Sequence, residues 1–133
     1  MVRTTGPGQP LSDKDGRRAG QVRRIVRARL VHSGLGSFTS LAQLAVTELV
    51  TNSFRYGRGH TVGVRMWWCD PCLRIEVGDG SAVTLPADRP EADDVLAESG
   101  RGLCIVEAIA AHWGLTADRT GVWCVLAKPG NDQ

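Results

Sequence analysis

The sequence predicts an α+β protein: a two-layer sandwich with a mostly antiparallel sheet and helices gathered on one face. Three observations predict it. Apolar residues recur at helical spacing in two early segments. The stretches "HTVGVRMWWC" and "CLRIEVGDG" alternate apolar and polar residues around an Asp-Pro tip, as a half-buried hairpin does. "LTAD" and "GVWCVLAK" then close the chain as a second strand pair around the turn residues 119–121.

Each element follows in order. Residues 1–18, "MVRTTGPGQPLSDKDGRR", are rich in Gly, Pro and charge without periodicity, which predicts a flexible tail ahead of a single domain over 19–129. From Ala19 to His32, Val22, Ile25, Val26, Leu30 and Val31 make an amphipathic first helix, with Val22, Ile25 and Val26 available to the core. "SGLGS" breaks it. Ser40 is the expected N-cap of a second helix, which carries Leu44, Val46, Leu49, Val50 and Phe54 and ends at the glycines of "YGRGH". The hairpin follows. Residues 81–99 contain Pro86, Pro90 and an acidic cluster with little hydrophobic pattern, a long loop of the kind that is functional or disordered. "GRGLCIVEAIAAHWG" begins a third helix directly after a Gly-x-Gly.

Length and composition bound the function. A chain of 133 residues suits one compact domain. With 42% hydrophobic and 23% charged residues it reads as soluble and globular, and no apolar run approaches the roughly 20 residues of a membrane span. No apolar segment follows Arg3, so a signal peptide is not expected and the cytoplasm is the expected compartment. The net charge of +2 hides an asymmetry: residues 1–33 hold eight basic and two acidic residues, a net +6, and the remainder is −4. A basic front on an acidic body fits an electrostatic partner or a solvated helix face. Aromatic residues are not interleaved with the arginines, so a nucleic-acid partner is not expected.

Cys69 and Cys72 form a lone CxxC, a pattern shared by zinc half-sites and redox pairs. No second CxxC follows, and Asp70-Pro71 between the thiols is turn chemistry, so the pair is read as flanking a hairpin tip. Cys104 and Cys124 sit singly in apolar runs, as small buried thiols do.

Three polar segments converge as a candidate site. Glu48 and Asn52 lie one helical turn apart beside the apolar face of the second helix. "VGDGS" ends a strand at Asp79-Gly80, where the backbone can turn sharply. "SGRGLCIV" places glycines before a helix start, whose free N–H groups suit phosphate. Each is common alone; their order and spacing are more specific.

On these motifs the chain resembles the GHKL (Bergerat-fold) ATPases, and within them the bacterial anti-sigma regulatory factors that act as serine/threonine protein kinases. The resemblance runs from about Val22 to Lys128. "ELVTNSFRYG" is similar to the N-box, "VGDGS" to the G1 box and "GRGL" to the G2 box, and "HWG" before a terminal strand pair is typical of small bacterial members. Two departures stand out: Ser81, Ala82 and Val83 follow Gly80 where the fuller G1 pattern has a second glycine, and Gly121, beside Thr120, stands where many members carry a threonine.

The resemblance implies ATP and Mg²⁺ as cofactors. It implies Glu48 as catalytic base and Asn52 as metal ligand. Arg55 would meet phosphate oxygens, and Asp79 would accept from the adenine amino group while Gly80 lets the backbone pass the base. Gly100, Arg101, Gly102 and Leu103 would hold the phosphates, and residues 82–99 would form a lid. The implied partners are a sigma factor and a small antagonist protein that is phosphorylated, with homodimerisation common among relatives. The alternative is a non-catalytic nucleotide-binding module that sequesters a protein partner. Retention of Glu48 favours catalysis.

Overall fold

The computed structural model of the protein describes residues 1–6, 9–83 and 105–129. Helix α1 (Asp13–His32) begins at a cap: the Ser12 hydroxyl accepts from the Asp15 N–H at 3.1 Å. Asp13 and Asp15 in its first turn, and Arg29 and His32 in its last, match the helix dipole.

This start precedes the Ala19 expected from the sequence, and residues 1–6 do not stand as a tail. The reason is local hydrogen bonding that composition does not reveal. The Asp15 carboxylate is fully buried and accepts from the Thr4 N–H at 3.0 Å, the Thr5 N–H at 2.7 Å and the Thr5 hydroxyl at 2.6 Å. The same Thr5 hydroxyl accepts from the Ser12 N–H at 3.0 Å. In a capping box the acidic side chain three residues into the helix reaches back to the cap N–H; here the Thr5 hydroxyl is inserted between the two. Burial alone would raise the Asp15 carboxyl, but the Thr5 hydroxyl and the Thr4 and Thr5 N–H groups outweigh it and hold it below its ordinary value of 3.8. The segment continues antiparallel to residues 60–62: Val2 bridges Thr61, and the Arg3 N–H donates to the His60 carbonyl at 2.9 Å.

Ala19, Val26 and Leu30 turn inward from α1. Ile25 and Val31 are 54% and 59% exposed, so the buried stripe is narrower than the apolar spacing suggests. Arg17, Arg23, Arg24, Arg27 and Arg29 are exposed. A 3-10 turn (Gly36–Phe38) leads into helix α2 (Thr39–Tyr56). Ser40 is not its cap; the turn delivers the chain directly into α2, with Phe38 at the cap position and no side-chain cap bond. Ala42, Ala45, Val46, Leu49, Val50 and Phe54 form the buried face, while Leu44 is 40% exposed.

Strands β1 (Gly63–Cys69), β2 (Cys72–Gly78), β3 (His112–Leu115) and β4 (Gly121–Ala127) form one antiparallel sheet in the order β1-β2-β4-β3. The alternation read from the sequence holds: Leu73, Ile75 and Val77 are buried on β2, in register with Leu126, Cys124 and Val122 on β4. Helix α2 packs on β2 and β4, and α1 packs on α2. Residues 105–109 are helical and contribute Val106 to the core.

The third strand differs from expectation. It is "HWGL", not "LTAD", because Trp113 pairs with the buried Cys124 position and packs against the core rather than extending the helix. The Trp123 indole N–H fixes the register by donating to the Leu115 carbonyl at 3.0 Å.

The sheet face away from the helices is uneven. At one end the Arg74 guanidinium lies between the rings of Trp67 and Trp123, 5.4 and 4.7 Å from their centroids, and pairs with Glu76 at 2.9 Å. At the other, Gly63, Gly78 and Gly121 align across three strands. A Cβ on Gly78 would lie 2.5 Å from the Thr120 carbonyl oxygen, so this crossing admits no side chain.

Cys69 and Cys72 face each other across the hairpin tip as free thiols. Cys124 is buried, and burial pushes its thiol up to about 11 despite the nearby Arg74 charge. Cys104 lies outside the described residues. Among the described residues, no helix is long and apolar enough to cross a membrane.

Ile75 sits at the centre of this packing with no exposed surface. Ile75→Ala is expected to lower unfolding stability by about 2–5 kcal/mol, read as a shift of the urea midpoint with an unchanged slope.

Candidate functional site

The C-terminal half of α2 and the end of β2 build the site. On α2, Leu49, Val50 and Phe54 point to the sheet, which leaves Glu48, Asn52 and Arg55 on one half-buried flank of the helix. The Arg55 guanidinium lies 5.1 Å from the centroid of the Tyr56 ring. Thus the acid and the amide stand one turn apart at the edge of the core, as their spacing predicts.

Asp79 follows β2 directly, and its carboxylate is held from all sides. Oδ1 accepts from the Ser81 N–H at 2.9 Å and the Ser81 hydroxyl at 2.6 Å. Oδ2 accepts from the Gly59 N–H at 2.8 Å and from Nη2 of Arg3. The Arg3 guanidinium also donates to the Gly57 carbonyl and, at 2.7 Å, to the Ser53 carbonyl. It therefore ties the last turn of α2 to the end of β2. The side chains of this ion pair are 7% and 3% exposed. Gly80 turns the chain away with φ +84° and is exposed.

This contact requires small residues on the α2 side. A Cβ on Gly57 would lie 2.0 Å from Asp79 Oδ2, and one on Gly59 1.9 Å from the Asp79 carbonyl oxygen. The glycines of "YGRGH", read from sequence as a helix stop, are thus also the seat of Asp79.

Burial would raise the Asp79 carboxyl, but hydrogen bonds from the Ser81 hydroxyl and N–H, the Gly59 N–H and Arg3 outweigh it and hold it below 3.8. Across the sheet end, the exposed Asp118 carboxyl accepts from the hydroxyls of Thr116 and Thr120 at 2.7 Å each and is lowered to about 2. Thr116 Oγ1 accepts from the Gly121 N–H at 3.0 Å. Thr120 therefore belongs to the β3–β4 turn, and its carbonyl crowds Gly78.

The expected phosphate loop, Gly100, Arg101, Gly102 and Leu103, lies outside the described residues, as does most of the expected lid, from residue 84 on. The structure thus sets Glu48, Asn52 and Arg55 along one flank of α2, and Asp79 and Gly80 beside the end of that helix. It adds Arg3, Gly57, Gly59 and Ser81, which the sequence did not single out for this site. The only sequence signal for Arg3 was its place in the basic front.

A profile of the histidine kinase-like ATPase domain matches residues 13–128, beginning at the first residue of α1. The chain belongs to that family. No curated protein and no solved structure matches it. Membership accounts for the α+β architecture and points to ATP binding. The residues fit such a ligand unevenly. The α2 flank offers a carboxylate and an amide oxygen of the kind a hydrated Mg²⁺ and phosphates use, whereas every acceptor position of Asp79 is already filled from within the chain.

Asp79 and Asp15 both bind protons more weakly folded than unfolded. Their contribution to stability is therefore complete above the ordinary carboxyl value and is lost as pH falls through their lowered folded values. Urea midpoints are expected to stay level from pH 7 to about 5 and to drop below about pH 4. Asp79→Asn should flatten part of that drop.

Proposed function

We propose that this chain is an ATP-binding regulator of the anti-sigma type, and that it transfers the ATP γ-phosphoryl group to a serine of a small antagonist protein. The observation that carries this is the pairing of Glu48 and Asn52 on the half-buried flank of α2, within a chain of the histidine kinase-like ATPase family. An acid alone would suit many roles. An acid one turn from an amide, on the helix whose last turn is tied to Asp79, suits a terminal phosphate and the hydroxyl that attacks it.

In this reading the serine oxygen bonds to the γ-phosphorus as the bond to the ADP oxygen breaks, and Glu48 takes the hydroxyl proton. Asn52 would supply one oxygen ligand to Mg²⁺, which when bound neutralises charge on the phosphates. Arg55 would contact phosphate oxygens. Asp79 and Gly80 would flank the adenine, and the 100–103 loop would hold the phosphates. The partners proposed are a sigma factor in one state and the antagonist in another. The exposed arginines of α1 support an acidic protein surface as partner, because no aromatic side chain stands among them to stack on bases.

A second reading has a specific observation behind it. The filled acceptor positions of Asp79 favour a module that sequesters its partner without phosphoryl transfer. Titration of the protein with ATP, with and without Mg²⁺, followed by labelled ATP and candidate antagonists, separates the two.

Asn52→Ala is expected to abolish the gain in ATP affinity that Mg²⁺ gives, with the thermal midpoint unchanged. Glu48→Gln should keep nucleotide binding and reduce phosphoryl transfer by about 10²–10⁴-fold. Transfer at the wild-type rate in the Gln variant would remove Glu48 from the role of base.

A further inference from the structure

We infer that residues 1–5 form an internal latch, in which Arg3 occupies the Asp79 carboxylate and must leave before a nucleotide's purine amino group can bind there. This rests on the ATP-binding reading above and goes beyond it by making nucleotide affinity a property of the N-terminal segment.

The carboxylate itself carries the argument. An ionised Asp offers about four acceptor positions. Two on Oδ1 are taken by the Ser81 N–H and hydroxyl, and two on Oδ2 by the Gly59 N–H and Arg3. No position remains for an incoming amino group. Ser81 is two residues from Asp79, and Gly59 is seated against the Asp79 backbone with no room for a side chain. Those three donors come from the turn after β2 and from the α2–β1 connection that seats it. Arg3 is different: it comes from a segment 76 residues away and is the exchangeable donor.

The segment is also held by contacts that can be released separately. Beyond Arg3 it is fastened by its short pairing with residues 60–62 and by the hydrogen bonds of Thr4 and Thr5 to Asp15. Arg3 Nε is buried without a hydrogen-bond partner, which offsets part of what the other guanidinium contacts gain. A guanidinium spanning the Ser53 carbonyl, the Gly57 carbonyl and Asp79 fills the gap between α2 and β2 with donors. A purine amino group brings the same chemistry, an N–H donor directed at Oδ2. Nucleotide and latch are therefore mutually exclusive at this atom, and each weakens the other by the same factor.

The full chain and two variants test this by calorimetric titration with Mg-ATP. Arg3→Ala removes the competing donor. Asp15→Asn weakens the anchor of Thr4 and Thr5, at a position that does not contact Asp79, and so keeps the test decisive if Arg3→Ala fails to fold. With the latch closed in about nine molecules of ten, Arg3→Ala should bind Mg-ATP about tenfold tighter than wild type, and Asp15→Asn should bind tighter by up to that factor. In the wild type, Mg-ATP should speed hydrogen exchange of the Arg3 amide, which donates to the His60 carbonyl. Equal or weaker binding by the variants, or slower exchange of the Arg3 amide with nucleotide, overturns the latch while leaving ATP binding standing. Absence of Mg-ATP binding in all three proteins overturns the nucleotide reading and the latch together.

Discussion

The burial of one face of α2 against β2 and β4 is the constraint on which the rest depends. Val46, Leu49, Val50 and Phe54 meet Leu73, Ile75, Val77, Cys124 and Leu126 with almost no exposed surface on either side. Apolar burial of this kind supplies most of the favourable free energy of a small domain, and close packing leaves the helix little freedom to rotate. Once that face is fixed, the 3.6-residue period decides where every other α2 side chain stands. Glu48, Asn52 and Arg55 fall on the flank because Leu49 and Val50 take the core. The same packing sets the last turn of α2 beside the end of β2, where Gly57 and Gly59 receive Asp79.

Electrostatics then refine what packing sets. The side-chain carboxylates of Asp15 and Asp79 are withdrawn from solvent, and both are kept ionised by donors aimed at them rather than by exposure. Asp15 organises residues 1–6 around the start of α1, and Asp79 gathers the ends of α2 and β2. An unpaired charge in either place would be costly, so each carboxylate constrains the backbone that supplies its donors. Arg3 joins the two arrangements, since the segment anchored at Asp15 carries the guanidinium that reaches Asp79.

Much of the fold was legible because it depends on period. The hairpin alternation at Val62, Val64, Met66 and at Leu73, Ile75, Val77 matches the buried or half-buried face, and α2 is legible from its apolar spacing. Of the candidate site, Glu48, Asn52 and Asp79 were legible from spacing and turn chemistry. What was hidden depends on contacts distant in sequence. "MVRTTGPGQP" has the composition of a tail, yet Thr4, Thr5 and Arg3 find partners ten to 76 residues away. The Ser12-x-x-Asp15 spacing was the available signal for an earlier helix start. "HWGL" resembles a helix end by composition and becomes a strand only because Trp113 and Trp123 meet the existing sheet. Ile25 shows the converse: helical spacing alone cannot tell how wide a stripe the neighbour will cover.

The lane of Gly63, Gly78 and Gly121 divides the sheet by what holds its strands together. Cross-strand side-chain pairs are the units that stiffen a sheet, and glycine contributes none while adding backbone freedom. At the hairpin end, Trp67, Arg74 and Trp123 bind three strands together through their side chains. At the glycine end, the same three strands are joined by backbone hydrogen bonds, and the Thr116–Asp118–Thr120 turn links β4 to β3. One end is braced by side chains and the other by close backbone contact, and Asp79 emerges from the second. The position of the β2 terminus is therefore set by the donors that Arg3, Gly59 and Ser81 direct at Asp79, and not by side chains reaching across the sheet.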